Sequence, residues 1–195
     1  RRCQSVFGDV VNIKRGVLFD KKLLTNTCTS SNSYRYFEGD VYRYQLNLVA
    51  DNWIEFGEKM KEYPKEFIWF SEPRLLLRRL VNRRQRLMAT FASDTFITNK
   101  NLYSVLVKDT YPTILSVLGI LNSRLISYLY VNQVTQATKD DFPQVTIKDV
   151  KGLPFPEKLD SARLLRLDSL VKQMIILNKQ FQEARIPHEQ TSLQR

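Results

Sequence analysis

The sequence predicts an α+β fold, with an antiparallel or mixed β-sheet core, a buried helix and a C-terminal helix of heptad pattern. The first half of the 195 residues consists of short apolar stretches between turn residues, which is typical of strands. The second half changes to apolar residues at helical spacing. Because 43% of the chain is hydrophobic, a packed core is expected. We divide the chain into a globular domain over 1–157, a helix over 158–185 and a polar tail over 186–195.

The N-terminal third is predicted to form short strands. The first is Val10–Ile13, which ends in the basic turn Lys14–Gly16, and the second is Tyr34–Phe37. Val41–Val49 alternates loosely and is a further extended candidate. Trp53–Lys65 is polar enough for a short surface helix or an irregular segment.

The clearest β region lies in the middle of the chain. Arg74–Val81 and Gln85–Ala92 are predicted strands, joined by a turn at Asn82–Arg84. A third strand, rich in valine, leucine and tyrosine, is predicted over Leu102–Val107. Together these segments predict an antiparallel meander with basic loops at one end.

Five arginines fall within nine residues at and around the predicted turn Asn82–Arg84, with no acidic residue among them. A solubilising surface would mix both signs of charge, whereas this cluster repels itself. The planar fork of a guanidinium matches phosphate oxygens and the O6/N7 edge of guanine, and an asparagine amide matches adenine. A solvated hairpin tip is the alternative. The candidates for reading base edges are Arg78, Asn82, Arg83, Arg84 and Arg86.

The net charge of +10, with a sequence pI near 9.7, favours a polyanionic partner. That partner is DNA, RNA or, less readily, an anionic membrane surface. No apolar run reaches the roughly 18 residues that a spanning helix needs, so no membrane partner is expected. The candidates for phosphate contact are Lys14, Arg15, Lys21, Lys22, Arg43, Tyr44, Lys100 and Lys139.

Two helices are predicted in the second half. Thr113–Val131 has a broad apolar face and reads as one buried helix. Ser161–Glu183 reads as a helix whose apolar residues follow 3-4-3-4 spacing, the seam of a coiled coil. This seam either packs on the same domain or docks against another domain or subunit. Its residues are Leu167, Leu170, Met174, Leu177 and Phe181.

The residue inventory argues against catalysis by this chain. Its single histidine and two cysteines are too few for a four-ligand zinc site, and they disfavour histidine-assisted nucleophilic catalysis. There is no glycine-rich phosphate loop, and no Asn-Pro-Pro-aromatic tetrapeptide of the kind that amino-methyltransferases use. We therefore expect a binding protein without a metal or cofactor of its own. The cysteine content favours a reducing cytoplasm, and the absence of an initiator methionine suggests a piece of a longer polypeptide.

Six phrases, spread over most of residues 7–180, occur together in the order of one known family. The most specific are Leu118-Gly119-Ile120-Leu121-Asn122-Ser123 and Leu153-Pro154-Phe155-Pro156. The others include Gly8–Gly16, Glu38–Tyr44, Pro73–Arg78 and Thr98–Tyr103. With these phrases the chain resembles the TaqI-like C-terminal specificity domain, the target-recognition domain of adenine-N6 methyltransferases and combined restriction–modification enzymes. It departs from many relatives at Val17–Asp20, where they carry a second glycine.

The resemblance implies a function for each part. Residues 1–157 would recognise double-stranded DNA, and 158–185 would dock or space this domain against the catalytic one. That catalytic domain, elsewhere in the same polypeptide and with or without a nuclease, would use S-adenosylmethionine to methylate a flipped adenine. Asn122-Ser123 would cap or pack the buried helix. The setting would be the cytoplasm of a bacterium or archaeon.

Two other functions remain open at this point. The chain could be a protein-interaction module that works through its heptad helix, with only non-specific affinity for nucleic acid. It could also bind RNA, with its aromatic side chains as stacking platforms, although no RNA-binding motif is recognisable.

Overall fold

A computed structural model describes residues 5–45, 48–81, 86–109, 112–133, 144–157 and 160–184. These residues form two β-sheets and a set of helices, which confirms the predicted α+β class. The strands are β1 (Val11–Arg15), β2 (Ser33–Phe37), β3 (Asn52–Glu55), β4 (Arg74–Arg78), β5 (Ala89–Ala92), β6 (Ile97–Thr98) and β7 (Leu102–Val107). The α-helices are α1 (Phe7–Val10), α2 (Ile68–Ser71), α3 (Ile114–Leu121), α4 (Arg124–Gln133), α5 (Ile147–Gly152) and α6 (Ser161–Glu183), and Lys21–Leu23 forms a 3-10 turn.

The larger sheet is antiparallel, in the order β1-β7-β4-β5. The strand predicted over Leu102–Val107 is confirmed, but the predicted meander is wrong, because β7 lies between β1 and β4 and does not pair with β5. The reason is burial: Leu75, Leu76 and Leu77 of β4 are all fully buried, so β4 needs a neighbour on each side. The chain between β5 and β7 passes through β6, which belongs to the other sheet.

The two strands around the arginine-rich turn are shorter than predicted, since β4 ends at Arg78 and β5 begins at Ala89. Beyond Arg78 the backbone finds other partners. The Arg79 amide donates to the Asn101 carbonyl at 2.8 Å, and the Val145 amide donates to the Arg79 carbonyl at 2.6 Å. These bonds draw the chain away from β5. The predicted turn at Asn82–Arg84 lies outside the described residues.

The smaller sheet has the order β3-β2-β6, with β2 antiparallel to β3 and parallel to β6. The expectation of a helix or irregular segment over Trp53–Lys65 is therefore wrong at its start, because Trp53 and Ile54 pair with β2. The extended reading of Val41–Val49 is also wrong where the segment is described. Tyr44 there has a φ of +59° and lies in a turn.

The larger sheet is buried on both faces. Leu75 and Leu77 point into the main core, where α3, α4, α5 and α6 pack. Leu76 points the other way, into a small cluster with Phe37 and Phe96 that joins the two sheets. This two-sided burial explains why β4 is a continuous apolar run rather than an alternating one.

Arg74, at the start of β4, is completely buried and binds carbonyls rather than a carboxylate. Its guanidinium donates to the carbonyls of Glu72, Asp94 and Phe96 at 3.0–3.1 Å, and it lies 4.6 Å from the centre of the Phe96 ring. Burial lowers the pKa of Arg74 to about 10, so the group stays charged at neutral pH. It ties the loop before β4 and the loop between β5 and β6 to the sheet, and it is not available to a ligand.

The helix predicted over Thr113–Val131 is two helices, and this correction has a clear cause. The axes of α3 and α4 differ by 57° across a break at Asn122 and Ser123. Asn122 is buried, where its Oδ1 accepts from the Ala89 amide at 3.0 Å and its Nδ2 donates to the Ala89 carbonyl at 2.9 Å. The Ser123 hydroxyl accepts from the Ile126 amide and caps α4. Asn122-Ser123 thus packs and caps as the resemblance implied.

Helix α6 has the predicted bounds and lies along α3. Leu164 and Val171 are buried, and Gly119 of α3 allows the close approach, since a Cβ there would lie 2.8 Å from Val171 Cγ2. Within the described residues no single helix is both long and apolar enough to cross a membrane, although α3 and α4 together meet that test of length and composition as a bent pair.

We expect Asn122→Leu to lower the free energy of unfolding by about 2–4 kcal/mol, because it leaves the buried Ala89 amide without an acceptor. Urea denaturation followed by circular dichroism measures this. Asn132→Ala is the matched control, because the Asn132 amide only donates to the Tyr128 carbonyl at the exposed surface of α4. The control should change stability by less than about 0.5 kcal/mol. Equal effects of both substitutions would contradict the role given to Asn122.

Candidate nucleic-acid interface

One end of the larger sheet gathers basic side chains from separate parts of the sequence, and we call it the basic end. The register places the last residues of β1 and β4 beside the first residues of β7 and β5: Arg15 faces Tyr103, Arg78 faces Leu102 and Leu77 faces Ala89. The prediction of basic loops at one end is therefore confirmed in the described residues. The cations at this end are Arg15, Arg43, Arg78, Arg79, Arg86, Lys100 and Arg124.

Arg78, predicted to read bases, is held inside the protein. Its Nη2 pairs with Asp40 Oδ2 at 2.9 Å, and only 18% of its side chain is exposed. Its Nε is buried and has no hydrogen-bond partner among the described residues. In this position Arg78 anchors the loop that carries Asp40 and does not reach outward.

Two further candidates meet at the break between α3 and α4. Arg86 Nη2 and Arg43 Nη1 both donate to the Asn122 carbonyl, at 2.9 and 3.5 Å. Burial lowers the pKa of Arg86, and the neighbouring charges of Arg43 and Arg124 lower it further. Tyr44 is buried in the main core, and burial raises the pKa of its phenol, so the structure places it as a packing residue.

Two of the candidates for phosphate contact, Lys21 and Lys100, line a cleft of about 450 Å³. Arg15 pairs with Glu62 at 3.2 Å and Lys21 pairs with Glu38 at 2.8 Å, so both are partly neutralised. Lys14, Lys22 and Lys100 are exposed. Lys21, Glu38, Asp40 and Lys100 line the cleft together with apolar and amide side chains. The structure therefore brings Lys21 and Lys100 together, whereas Lys14 stands further along β1.

Three predicted residues of the arginine-rich turn, Asn82, Arg83 and Arg84, lie outside the described residues, as does Lys139. Their assignment stays a prediction. The ends of the undescribed segment are nevertheless fixed at the basic end, because Val81 follows β4 and Arg86 binds Asn122.

Two cations at the basic end were not assigned a contact from the sequence: Arg79, which belongs to the cluster of five arginines, and Arg124. Arg79 donates to Gln144 Oε1 and lies beside the phenol of Tyr103. Burial raises the pKa of Tyr103, and the charges of Arg79 and Arg15 partly counteract this increase. Arg124 is the first residue of α4 and is exposed. The signal for Arg124 was the Asn-Ser pair before it, since a capping serine marks a helix start and puts the next residue beside the break.

The predicted seam of α6 is divided between two surfaces. Leu167 packs against α3, whereas Leu170, Met174 and Leu177 are 50, 43 and 41% exposed. We call Leu170, Met174 and Leu177 the exposed stripe. The helix thus uses one apolar face for its own domain and presents a second.

More than half of the chain matches a known protein family. The sequence pattern of the TaqI-like C-terminal specificity domain matches residues 34–155. The chain belongs to this family.

Relatives of this specificity domain are larger proteins. It is 31% identical over 176 residues, 90% of its length, to a protein of Methanocaldococcus jannaschii named as a candidate type II restriction enzyme and methyltransferase. Its fold is similar to that of the HsdS subunit from Thermoanaerobacter tengcongensis, with a TM-score of 0.55, 14% identity and 97% of the domain covered. A structure of a type I restriction–modification system gives a TM-score of 0.55, with 15% identity and 98% covered. The domain spans 15% of the M. jannaschii protein, and 41% and 42% of the two solved chains.

We expect Gly16→Ala to destabilise the specificity domain by about 1–3 kcal/mol, because Gly16 lies where β1 meets the turn before β7. A Cβ at Gly16 would lie 2.1 Å from the Asn99 carbonyl oxygen, so the backbone that positions Arg15 and Lys100 would have to move. Thermal unfolding measures the change. Gly152→Ala is the matched control, since a Cβ there meets nothing within 4 Å. A neutral Gly16→Ala would contradict the close approach.

Proposed function

We propose that this specificity domain is the sequence-specific double-stranded DNA recognition module of a restriction–modification polypeptide, and that it has no catalytic activity itself. The observation that carries the proposal is the basic end. Cations from β1, β4, the turn before β7, the segment before β5 and the start of α4 converge there, although they are far apart in sequence. A positive surface to which so many separate segments contribute is suited to binding a polyanion.

Two kinds of contact would divide the work. Exposed cations such as Lys100 and Arg124 would neutralise phosphates, which sets the register without reading sequence. Base edges would be read by the segment between β4 and β5, where Asn82, Arg83 and Arg84 remain the candidates. The salt bridge of Arg78 with Asp40 would hold the end of β4 in place, because a reading side chain needs a rigid support.

The proposed partner is a methyltransferase portion of the same polypeptide, with or without a nuclease. The M. jannaschii relative is named as a restriction enzyme and a methyltransferase, and the domain spans only 15% of that protein. That portion would bind S-adenosylmethionine and transfer its methyl group to adenine N6, in the cytoplasm of a bacterium or archaeon. The recognition domain would contribute the position on the duplex and no reacting group.

The exposed stripe of α6 is the proposed contact with that partner. It continues through Leu167 into an apolar concavity of about 530 Å³, lined by residues of α3 and α4 and by Pro154–Pro156. Leu125, at the rim of this concavity, is 65% exposed. An apolar surface that runs over three helices and carries no charge among these residues is typical of a protein interface.

A binding selection from a random duplex library tests the proposed function. We expect one enriched motif that persists when the salt concentration is raised, because base contacts do not depend on counterion release as phosphate contacts do. Binding that disappears with salt and enriches no motif would contradict it. The surviving function would then be the protein-interaction module, whose working surface is the exposed stripe.

The docking role predicts a separate phenotype. In the complete polypeptide, Leu170→Glu with Leu177→Glu should reduce site-specific methyl transfer from labelled S-adenosylmethionine by at least about tenfold, because it buries two charges in an apolar contact. Duplex affinity of the isolated domain should not change. Gln173→Glu, exposed on the same helix, is the control for added charge. Full methyl transfer by the double variant would contradict the docking role.

A further inference from the structure

The cations at the basic end differ in their partners. Arg15 and Arg78 each pair with a carboxylate, at 3.2 and 2.9 Å. At the junction of α3 and α4, by contrast, no carboxylate of the described residues lies within ion-pair distance of Arg43 or Arg124. The charges of Arg43 and Arg124 are therefore not balanced by an ion pair within the described residues.

The junction itself supplies little negative charge. Arg43 and Arg86 both donate to the Asn122 carbonyl at the C-terminal end of α3. The dipole of a helix is worth about half an elementary charge at that end. Arg43 and Arg124 together bring two full positive charges to the site, in addition to Arg86. Folding thus gathers more positive charge than the helix end offsets. Burial is the main cause of the lowered pKa of Arg86, and the neighbouring charges of Arg43 and Arg124 lower it further.

The backbone around Arg43 is held in place by a strained residue and by hydrogen bonds. Tyr44 has a φ of +59°, a conformation that is strained for a non-glycine residue and persists only where the surroundings impose it. Its amide donates to the Ala89 carbonyl at 3.2 Å, and the side chain of Asn178 on α6 donates to the Arg43 carbonyl at 3.3 Å. Arg43 is therefore held from both sides.

We propose that Arg43, Arg86 and Arg124 form a phosphate clamp that binds one phosphodiester group of the DNA backbone at the junction of α3 and α4. The clamp rests on the proposed DNA-binding function and adds the contact that fixes the register of the duplex. A phosphodiester shares one negative charge between two non-bridging oxygens, and planar guanidinium forks bind such oxygens in pairs. The clamp moves Arg86 from base reading to backbone contact and gives Arg124 a role. Asn178 is a positioning residue, which acts through the Arg43 backbone.

Arg124→Ala is the most direct test, because Arg124 is exposed and its loss should leave the fold intact. Affinity is measured for a duplex with the selected motif and for a scrambled duplex, over a range of salt. Both affinities should fall by the same factor, about tenfold at low salt. The slope of log affinity against log salt should fall in magnitude by about 0.9, the value for one phosphate contact on duplex DNA. Arg124→Lys should retain most of the slope.

Arg163→Ala is the matched control. Arg163 is an exposed arginine that pairs with Asp160 at the start of α6, about 22 Å along the helix from Asn178. Its loss should change neither affinity nor slope. Circular dichroism and thermal unfolding of each variant show whether the fold is kept.

A duplex series gives a second readout, in which one phosphate at a time is replaced by an uncharged methylphosphonate. The wild-type chain should lose affinity at one or two positions, and Arg124→Ala should be indifferent at those same positions. The clamp is wrong if Arg124→Ala changes the preferred sequence, which would make Arg124 a base reader, or if it binds both duplexes as the wild type does. Failure of the proposed function is seen separately, because a wild-type chain that selects no motif shows it before any variant is measured.

Discussion

The side chain of Asn122 pairs with both backbone groups of Ala89, and the basic end depends on this pair. At the start of β5, the side-chain amide at the end of α3 forms the pair of hydrogen bonds that a neighbouring strand would otherwise form. The helix must therefore stop there, and the Asn122 carbonyl is left at a position where Arg43 and Arg86 reach it. Because the pair is buried, it cannot exchange its partners for water.

The same frame connects the basic end to α6. Arg43 precedes the strained Tyr44, which is bonded to Ala89, and its carbonyl accepts from Asn178 on α6. Further along, α6 holds α3 through Asp168, which accepts from the hydroxyls of Thr113 and Ser116. The proposed DNA surface and the proposed docking helix thus share a single bonded scaffold, so the partner would receive the duplex in a defined orientation.

The sequence was sufficient where a pattern is long and local. Leu102–Val107 and Ser161–Glu183 have the predicted bounds, because a continuous β-rich run and a capped periodic helix carry their own signals. The break at Asn122 was not predicted. Ser123 is a local signal for a helix start, but the partner of Asn122 at the end of α3 is the backbone of Ala89, which is distant in sequence. The partner of Arg78 could not be predicted from the sequence either, because Asp40 lies in a loop that is distant from Arg78 in sequence. Strand β3 has only four residues, too few to show the alternation of apolar and polar residues that predicts a strand.

Footprinting of arginines tests the central claim most directly. The domain is treated with phenylglyoxal, free and bound to the duplex it selects, and each modified arginine is quantified by mass spectrometry. The account predicts that the duplex protects Arg124 and Arg43, whereas Arg163 at the start of α6 and Arg35, which stacks on Trp53 in the smaller sheet, stay reactive. Protection of Arg35 or Arg163 with a fully reactive Arg124 would place the duplex elsewhere and contradict the account.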